Sequence, residues 1–409
     1  MSQQAEVSQH PQPKAAAGAG TRLPDLTYSE TETELRSAVR SVVADRADWP
    51  AVLARTETDQ TYDTGLWHTL AAEIGCAGLL VPESCGGAGA SYREAAVVAE
   101  ELGRAVAPVP YLGSAVLATA ALLSVLGSGA SSELAPELLA GLAAGTTTAA
   151  LAVPFATMPG SRPEPGVRVG QSRAGDDGAS YRLSGSVAAV ADALPADLLL
   201  VPADGVPYGL YLVSAAADGV TLAPAVSLDM TRQLADLTLT DVLARRIAGG
   251  AQAERAVAAA LQAGAAMLAA ELLGLAERSL EITLAYVKQR YQFARPVGSF
   301  QALKHRLADL WVAITQARAA SRYAAACLAA GDPDATVAVA LAKAACSDTA
   351  VQAGQEMVQM HGGIGFTWEH PAHLYLKRAK SGSIGLGTAD RHRGTLAGLV
   401  NLPPAGADQ

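Results

Sequence analysis

Large aromatic side chains are scarce in this sequence: Phe, Trp and Tyr make up 5% of its 409 residues, and Phe occurs only 4 times. A core built with so few of them relies on Ala, Leu and Val. Because Ala, Leu, Arg and Glu favour helices, a mainly helical protein is expected. Cysteine is rare too. Cys76, Cys85, Cys327 and Cys346 form no CxxC pair and no His-bearing metal spacing. That argues against a disulfide framework or a zinc centre and fits idle thiols in a reducing cytoplasm. Basic clusters are also missing, with 30 Lys and Arg against 39 Asp and Glu and a formal net charge of −9. Without a basic stripe, neither a nucleic-acid backbone nor an anionic membrane surface is an expected partner.

Long hydrophobic runs are lacking as well. The most apolar windows, around 134–153 and 256–276, rest on Ala and are broken by polar or charged residues. Neither reaches the ~20 strongly apolar residues of a membrane span. Residues 1–27 are rich in Pro, Gly, Gln and Ala and have no basic region followed by an apolar stretch. They read as a disordered tail rather than a leader.

A chain well beyond ~300 residues divides its core, so two or three domains are expected. From Tyr28 the pattern is helical: Ser29 and Glu32 have the spacing of a capping box ahead of ETELRSAVRSVVADRA, and TGLWHTLAAEIG and SYREAAVVAEELGRA flank a Gly-rich loop. Between about Ala149 and Ile247 short β-prone runs such as SYRLSGSVAAV, ADLLLVPAD and YGLYLVSA are separated by Gly, Pro and Asp. Helices return after Gly250, with a break at Pro296. The expected division is 28–148 helical, 149–248 β, 249–403 helical, with a short tail at 404–409. No strand–GxGxxG–helix unit supports a dinucleotide-binding Rossmann domain.

Three strings in this layout resemble the acyl-CoA dehydrogenase family. Arg290-Tyr291-Gln292-Phe293-Ala294-Arg295-Pro296, continuing to Phe300-Gln301, is similar to R-x-Q-F-G-x-P-x-x-x-F-Q. Gln359-Met360-His361-Gly362-Gly363-Ile364-Gly365-Phe366 is similar to Q-x-x-G-G-x-G-[FY], and AAEIGCAGLLVPESCGGAG to L-G-x-x-G-[LI]-x-x-P-E-x-x-G-G. With Leu228-Asp229-Met230-Thr231-Arg232, the likeness spans the chain after its tail. It implies an α+β architecture: an N-terminal helical domain, a central β-barrel domain and a C-terminal four-helix bundle, assembled as a dimer of dimers. It also implies FAD, an acyl-CoA substrate, desaturation between Cα and Cβ, and an electron-transfer flavoprotein as electron acceptor.

In that family the ADP half of FAD is held by the neighbouring subunit's C-terminal domain. The matching residues are Arg290, Gln292, Phe293, Gln301, Gln359, Gly362, Gly363 and Thr388. Arg offers a charged fork to a pyrophosphate, Gln a paired donor and acceptor, and paired glycines a close backbone approach. Each has a plainer use: Arg290 suits the negative end of a helix dipole, the glycines suit a helix–helix turn, and Phe293 suits core filling.

The chain departs from the family where the chemistry lies. The reaction needs a carboxylate to remove the α-proton, carried by a Y-E-G-T string. The corresponding segment here is Ile384-Gly385-Leu386-Gly387-Thr388, with Leu386 in the carboxylate's place. The position used for the base by other members, on the first long C-terminal helix, is Gly264, and the nearby CoA-binding Arg corresponds to Ala265. The T-E-P-x-x-G-S-D loop falls near Val153–Ser161 and has lost its acidic positions, while the W-[IV]-T string corresponds to Ala189-Val190-Ala191.

The resemblance therefore points to a subunit without a base in an α2β2 complex, in which a paralogous partner supplies catalysis and this chain helps to hold the partner's FAD. Some actinobacterial members of this kind act on steroid side-chain CoA esters. Three other readings stay open: a self-sufficient homotetramer with an unusual base (Glu271, Glu277, Glu281, Asp390 or His392), a flavin monooxygenase, and a flavin-free structural subunit.

Overall fold

The computed structural model describes residues 24–128, 134–161, 166–170, 180–205 and 208–402. The expected tails fall wholly or mostly outside that range.

Helix starts follow local chemistry. The box read from Ser29 and Glu32 is present at the start of α1 (Glu30–Arg46), and Ser91 with Glu94 forms a second one before α4 (Tyr92–Ala105). Between them lie α2 (Trp49–Thr56) and α3 (Thr64–His68), capped by Asp48 and Asp63. The segment TGLWHTLAAEIG is one expected helix but widens into a π turn at Thr69–Glu73 before Gly75 ends it at φ +82°. A buried π segment, Tyr111–Ala118, runs into α5 (Thr119–Gly127), and α6 (Leu134–Ala143) completes the first helical layer.

Among the described residues seven strands follow: β1 (Ala149–Leu151), β2 (Val167–Gly170), β3 (Ser180–Ala191), β4 (Leu198–Ala203), β5 (Gly209–Ser214), β6 (Val220–Pro224) and β7 (Leu234–Gly249). Their order is β1-β4-β5-β7-β3-β2, with β6 also on β7. A bridge from Arg168 on β2 to Asp204, just past β4, brings the far edge round and nearly closes the sheet into a barrel. The sequence reading missed β6, whose VTLAP is short and mostly exposed.

The C-terminal layer is a bundle. Its axis is α7 (Ala251–Gln289), followed by a hairpin of β8 (Tyr291–Gln292) and β9 (Arg295–Pro296), then α8 (Gln301–Ala330), α9 (Ala335–His361), α10 (Ala372–Ile384) and α11 (Ala389–Leu399). By length and composition α7 could cross a bilayer. Its most apolar window has mean hydropathy 1.7, but 83% of that window is buried inside the protein, which makes α7 a core helix.

The small-residue composition permits unusually close helix contact. A Cβ on Gly274 of α7 would lie 1.9 Å from the Glu100 carbonyl oxygen of α4, and one on Gly103 of α4 would lie 2.1 Å from the Glu271 oxygen. Only glycine fits where these two backbones touch. Cys76, Cys85, Cys327 and Cys346 are buried free thiols.

Candidate functional site

Two places correspond to the sequence candidates, and they differ in kind. The first is the junction where the three layers meet, around Gly264, Phe155 and Leu386. The Leu386 backbone N–H donates to the Phe155 carbonyl at 2.7 Å, and the Phe155 N–H donates to the Ala189 carbonyl at 2.9 Å. This ties the 153–161 loop, the end of β3 and the turn after α10 together. Phe155, Leu386 and Ala265 are buried. A Cβ on Gly264 would stand 2.4 Å from Leu117 Cδ2 and 3.0 Å from Leu386 Cδ1, and one on Gly385 would stand 2.2 Å from the Phe155 ring. Leu386, at φ +54°, holds a left-handed conformation that the packed leucine side chain secures. The space between Gly264, Phe155 and Leu386 is filled by hydrocarbon side chains, none of which can accept a proton.

Around that plug lies a buried charge network that joins all three layers. Glu271, two turns from Gly264 on the same face of α7, pairs with Arg232 and with Arg378 of α10, the latter at 2.7 Å. Arg378 also reaches the Thr231 hydroxyl at 3.2 Å, and Asp229 accepts from the Thr231 N–H and hydroxyl at 2.9 and 2.6 Å. Asp192, at the end of β3, accepts from the Tyr62 hydroxyl and the Gly113 N–H, each at 2.8 Å. Burial alone would raise the Glu271 pKa, but the two guanidiniums outweigh it and bring the carboxyl to about 2.

The alternative bases are each paired, bonded or exposed. Glu271 is a committed anion with an arginine on each oxygen. Glu277 is paired with Arg104 at 3.2 Å and Arg318 at 2.7 Å, and Glu281 with Arg104 at 2.7 Å and Arg278 at 3.2 Å. Asp390 is a 95% exposed partner of Arg393. His392 is buried, its Nε2 bonded to the Leu386 carbonyl at 2.9 Å, and burial lowers its pKa to about 4. Lys343, buried on α9, holds the same turn by donating to the Gly382 and Gly387 carbonyls and the Ser347 hydroxyl at 3.0, 3.1 and 3.0 Å.

The second place is the far end of the bundle, where α7 and α9 finish side by side. Phe293 and Ala294 form the two-residue turn of the hairpin, both at positive φ, +53° and +59°. Phe293 stands 87% exposed, so core filling is excluded for it. Its ring meets Phe300 edge-on at 6.1 Å, and the Arg295 guanidinium lies 3.9 Å over Phe300, which holds the hairpin upright. Arg290, Gln292, Gln301 and Gln359 are exposed around it. On the adjoining turn a Cβ at Gly362 or Gly363 would meet nothing within 4 Å. Under that turn the rings of Tyr286, His361 and His370 stack at 4.3 and 4.2 Å. A guanidinium, several side-chain amides and an open glycine turn suit the pyrophosphate and ribose of a nucleotide.

Seven of the eight sequence candidates gather at this end. Thr388 does not: it begins α11 beside Gly387, which Lys343 grips, and Lys343 lies roughly 24 Å along α9 from Gln359. The sequence reading missed the paired arginines. Arg232 was quoted only as part of LDMTR, and Arg378 carried no signal because its partner lies 107 positions away.

Comparison with known proteins agrees with this architecture. Residues 29–146 match the acyl-CoA dehydrogenase N-terminal domain, and residues 254–399 match the acyl-CoA dehydrogenase C-terminal domain. The chain belongs to the acyl-CoA dehydrogenase family. It is 37% identical over 354 residues to acyl-CoA dehydrogenase IpdE2 of Mycobacterium tuberculosis, covering 87% of this chain and 92% of that protein. Among solved structures it is similar to the Tcur3481-Tcur3483 steroid ACAD, at 32% identity and TM-score 0.77, covering 91% and 98% of the two chains. It is also similar to the ChsE4-ChsE5 complex of Mycobacterium tuberculosis, at 28% identity and TM-score 0.80, covering 93% and 100%.

Proposed function

We propose that this chain is the subunit without a catalytic base in a heteromeric, FAD-dependent acyl-CoA dehydrogenase, an α2β2 assembly acting on an acyl-CoA thioester of lipid or steroid degradation. The observation that carries this reading is the plugged junction. Leu386 seals against Phe155 and Gly264, and Glu271 on the same helix is held by Arg232 and Arg378. The similar Tcur3481-Tcur3483 steroid ACAD and ChsE4-ChsE5 complex support the heteromeric assembly.

FAD supplies the hydride acceptor for such a desaturation. This chain's own part is binding. Arg290 would supply a positive charge to the pyrophosphate, and Gln292, Gln301 and Gln359 would offer donors and acceptors to ribose and adenine. Gly362 and Gly363 leave the backbone open to the nucleotide, and Phe293 at the hairpin tip would pack against it. The proton from Cα must be taken by a carboxylate of the paralogous subunit, because Leu386 and Gly264 cannot accept one.

The test is co-purification with a paralogous acyl-CoA dehydrogenase, followed by flavin absorbance and turnover of acyl-CoA esters with an artificial electron acceptor. Stoichiometric flavin and turnover are expected only in the pair. A lone chain that binds FAD and turns over overturns the proposal.

A further inference from the structure

The last residues of the stretch that reads as a tail are gripped by two layers of the protein. Asp25 turns the chain by accepting from the Thr27 N–H and hydroxyl at 2.9 and 2.7 Å. Arg93 of α4 donates to the Asp25 and Thr27 carbonyls at 2.6 and 2.9 Å, and Arg322 of α8 donates to the Leu26 carbonyl between them at 3.1 Å. Tyr28 follows, with the guanidiniums of Arg322 and of Arg36 on α1 lying 3.9 and 5.1 Å from its ring centroid. Its hydroxyl donates to the buried Glu100 carboxylate at 2.5 Å. Leu26 and Tyr28 border a void of about 20 Å³, room for one water, against the small residues Ala96, Ala270, Ser321 and Ala325. Arg93 and Arg36 also hold carboxylates, Glu32 at 2.7 Å and Glu100 at 2.6 Å. Arg322 pairs with none among the described residues: its hydrogen bond goes to the Leu26 carbonyl, its flat face to Tyr28, and its Nε is buried without an acceptor. A guanidinium set into a helix bundle without a carboxylate, and turned on a passing segment instead, is part of a site for that segment.

We propose that the cleft between α4 and α8 is a peptide-binding groove, filled in cis by residues 25–28. Arg93 and Arg322 read three consecutive main-chain carbonyls, which any sequence offers, and the ring and hydroxyl of Tyr28 give the groove its selectivity. The chain's own segment is delivered to it because Ser29, directly behind the tyrosine, caps α1. Once filled, the groove clasps α8 of the bundle to α4 of the N-terminal layer. Arg322 lies roughly 32 Å along α8 from Gln301, so the groove does not depend on the cofactor assignment.

The test uses the full chain in two measurements. Thermolysin cleavage at the bond before Leu26 requires the segment to leave the groove, so its rate under native conditions reports the open population. Tyr28→Ala and Arg322→Ala should each raise that rate about tenfold or more, and Tyr28→Phe, which keeps the ring and loses the bond to Glu100, should raise it less. The far-ultraviolet circular dichroism of all three should match the wild type. In the second measurement, a fluorescently labelled peptide of residues 24–28 is titrated into each chain and followed by polarisation. The tethered segment competes at an effective concentration in the millimolar range, so the wild type should bind the peptide at least tenfold more weakly than Tyr28→Ala does. Adding Arg322→Ala to Tyr28→Ala should abolish binding. Wild-type cleavage rates in both alanine variants, no peptide binding by Tyr28→Ala, or binding that survives Arg322→Ala overturns the proposal. A loss of ellipticity in Tyr28→Phe would make the segment part of the core and overturn it as well.

Discussion

The junction around Leu386 and the end of the bundle around Arg290 are joined by one helix and lie roughly 38 Å apart along it, the rise from Gly264 to Gln289. At the junction, side chains that could do chemistry are absent or bound to each other, and the remaining space is filled with hydrocarbon. At the bundle end, polar side chains stand in water with few partners, and aromatic rings are exposed on a hairpin. A protein that had merely lost a function would show no reason to keep the second region ordered. The contrast instead fits a chain whose working surface faces another subunit.

The strongest way to break the contrast is to unpick the lock at the junction. Glu271→Gln leaves Arg232 and Arg378 buried without their shared anion, and removing one member of a buried pair costs about 3–5 kcal/mol. Urea unfolding of the variant should show that loss. The same carboxylate sets an acid limit. Its folded pKa of about 2 lies below the ~4.3 of an unfolded Glu, so its stabilisation is fully present above the unfolded value and is lost as pH falls through about 2. Stability of the wild type should therefore fall between about pH 5 and pH 2, and Glu271→Gln should flatten that part of the profile. An equally steep profile in the variant would place the acid-sensitive group elsewhere.

Restoring the missing carboxylate tests whether the junction is sealed or merely lacks a base. Leu386→Glu puts a longer, ionisable side chain into a space already closed by Phe155 and Gly264. Overpacking and desolvation together should destabilise the protein by about 3 kcal/mol, with no flavin or turnover in the lone chain. If the variant bound flavin and turned over alone, the junction would have to be an active site short of one group.

The bundle end should respond in the opposite way. Arg290 is exposed and extended at the end of α7, so Arg290→Ala should leave unfolding unchanged. Loss of a charged hydrogen bond to an anion is worth about 1.5–3 kcal/mol, so flavin affinity of the complex should fall at least tenfold. Unchanged flavin content after gel filtration would remove Arg290 from the cofactor contacts.

Much of this division was legible in the sequence, and for different reasons at the two ends. The helix–β–helix order showed through periodicity and turn residues, and the Arg290 and Gly362 strings are contiguous, so their likeness to a family could be read directly. The emptied positions Leu386 and Gly264 could be read in the same way. What filled them could not: Phe155 looked like a loop residue, and the Glu271 pairs join residues far apart in sequence through side chains that any surface helix might carry. The placement of Thr388 away from its seven companions likewise depends on how α11 folds back on α9, which no local pattern encodes. Exposure of Phe293 ran against its apolar character and became visible only once the hairpin turn was built.

That turn allows the mildest test. In the family's R-x-Q-F-G pattern the residue after Phe is glycine, and here Ala294 occupies it at φ +59°, where a Cβ is strained. Ala294→Gly should relieve roughly 0.5–1 kcal/mol of local strain, partly offset by the greater freedom of glycine in the unfolded chain. The net change in unfolding is expected to be small, while the hairpin relaxes more easily. If the strain holds Phe293 and Arg290 in a fixed posture for a neighbour's nucleotide, the glycine variant should release flavin from the complex faster, with equilibrium stability nearly unchanged. Stopped-flow displacement of flavin separates the two effects, and an unaltered release rate would mean that the Phe293–Phe300–Arg295 stack alone sets the hairpin's posture.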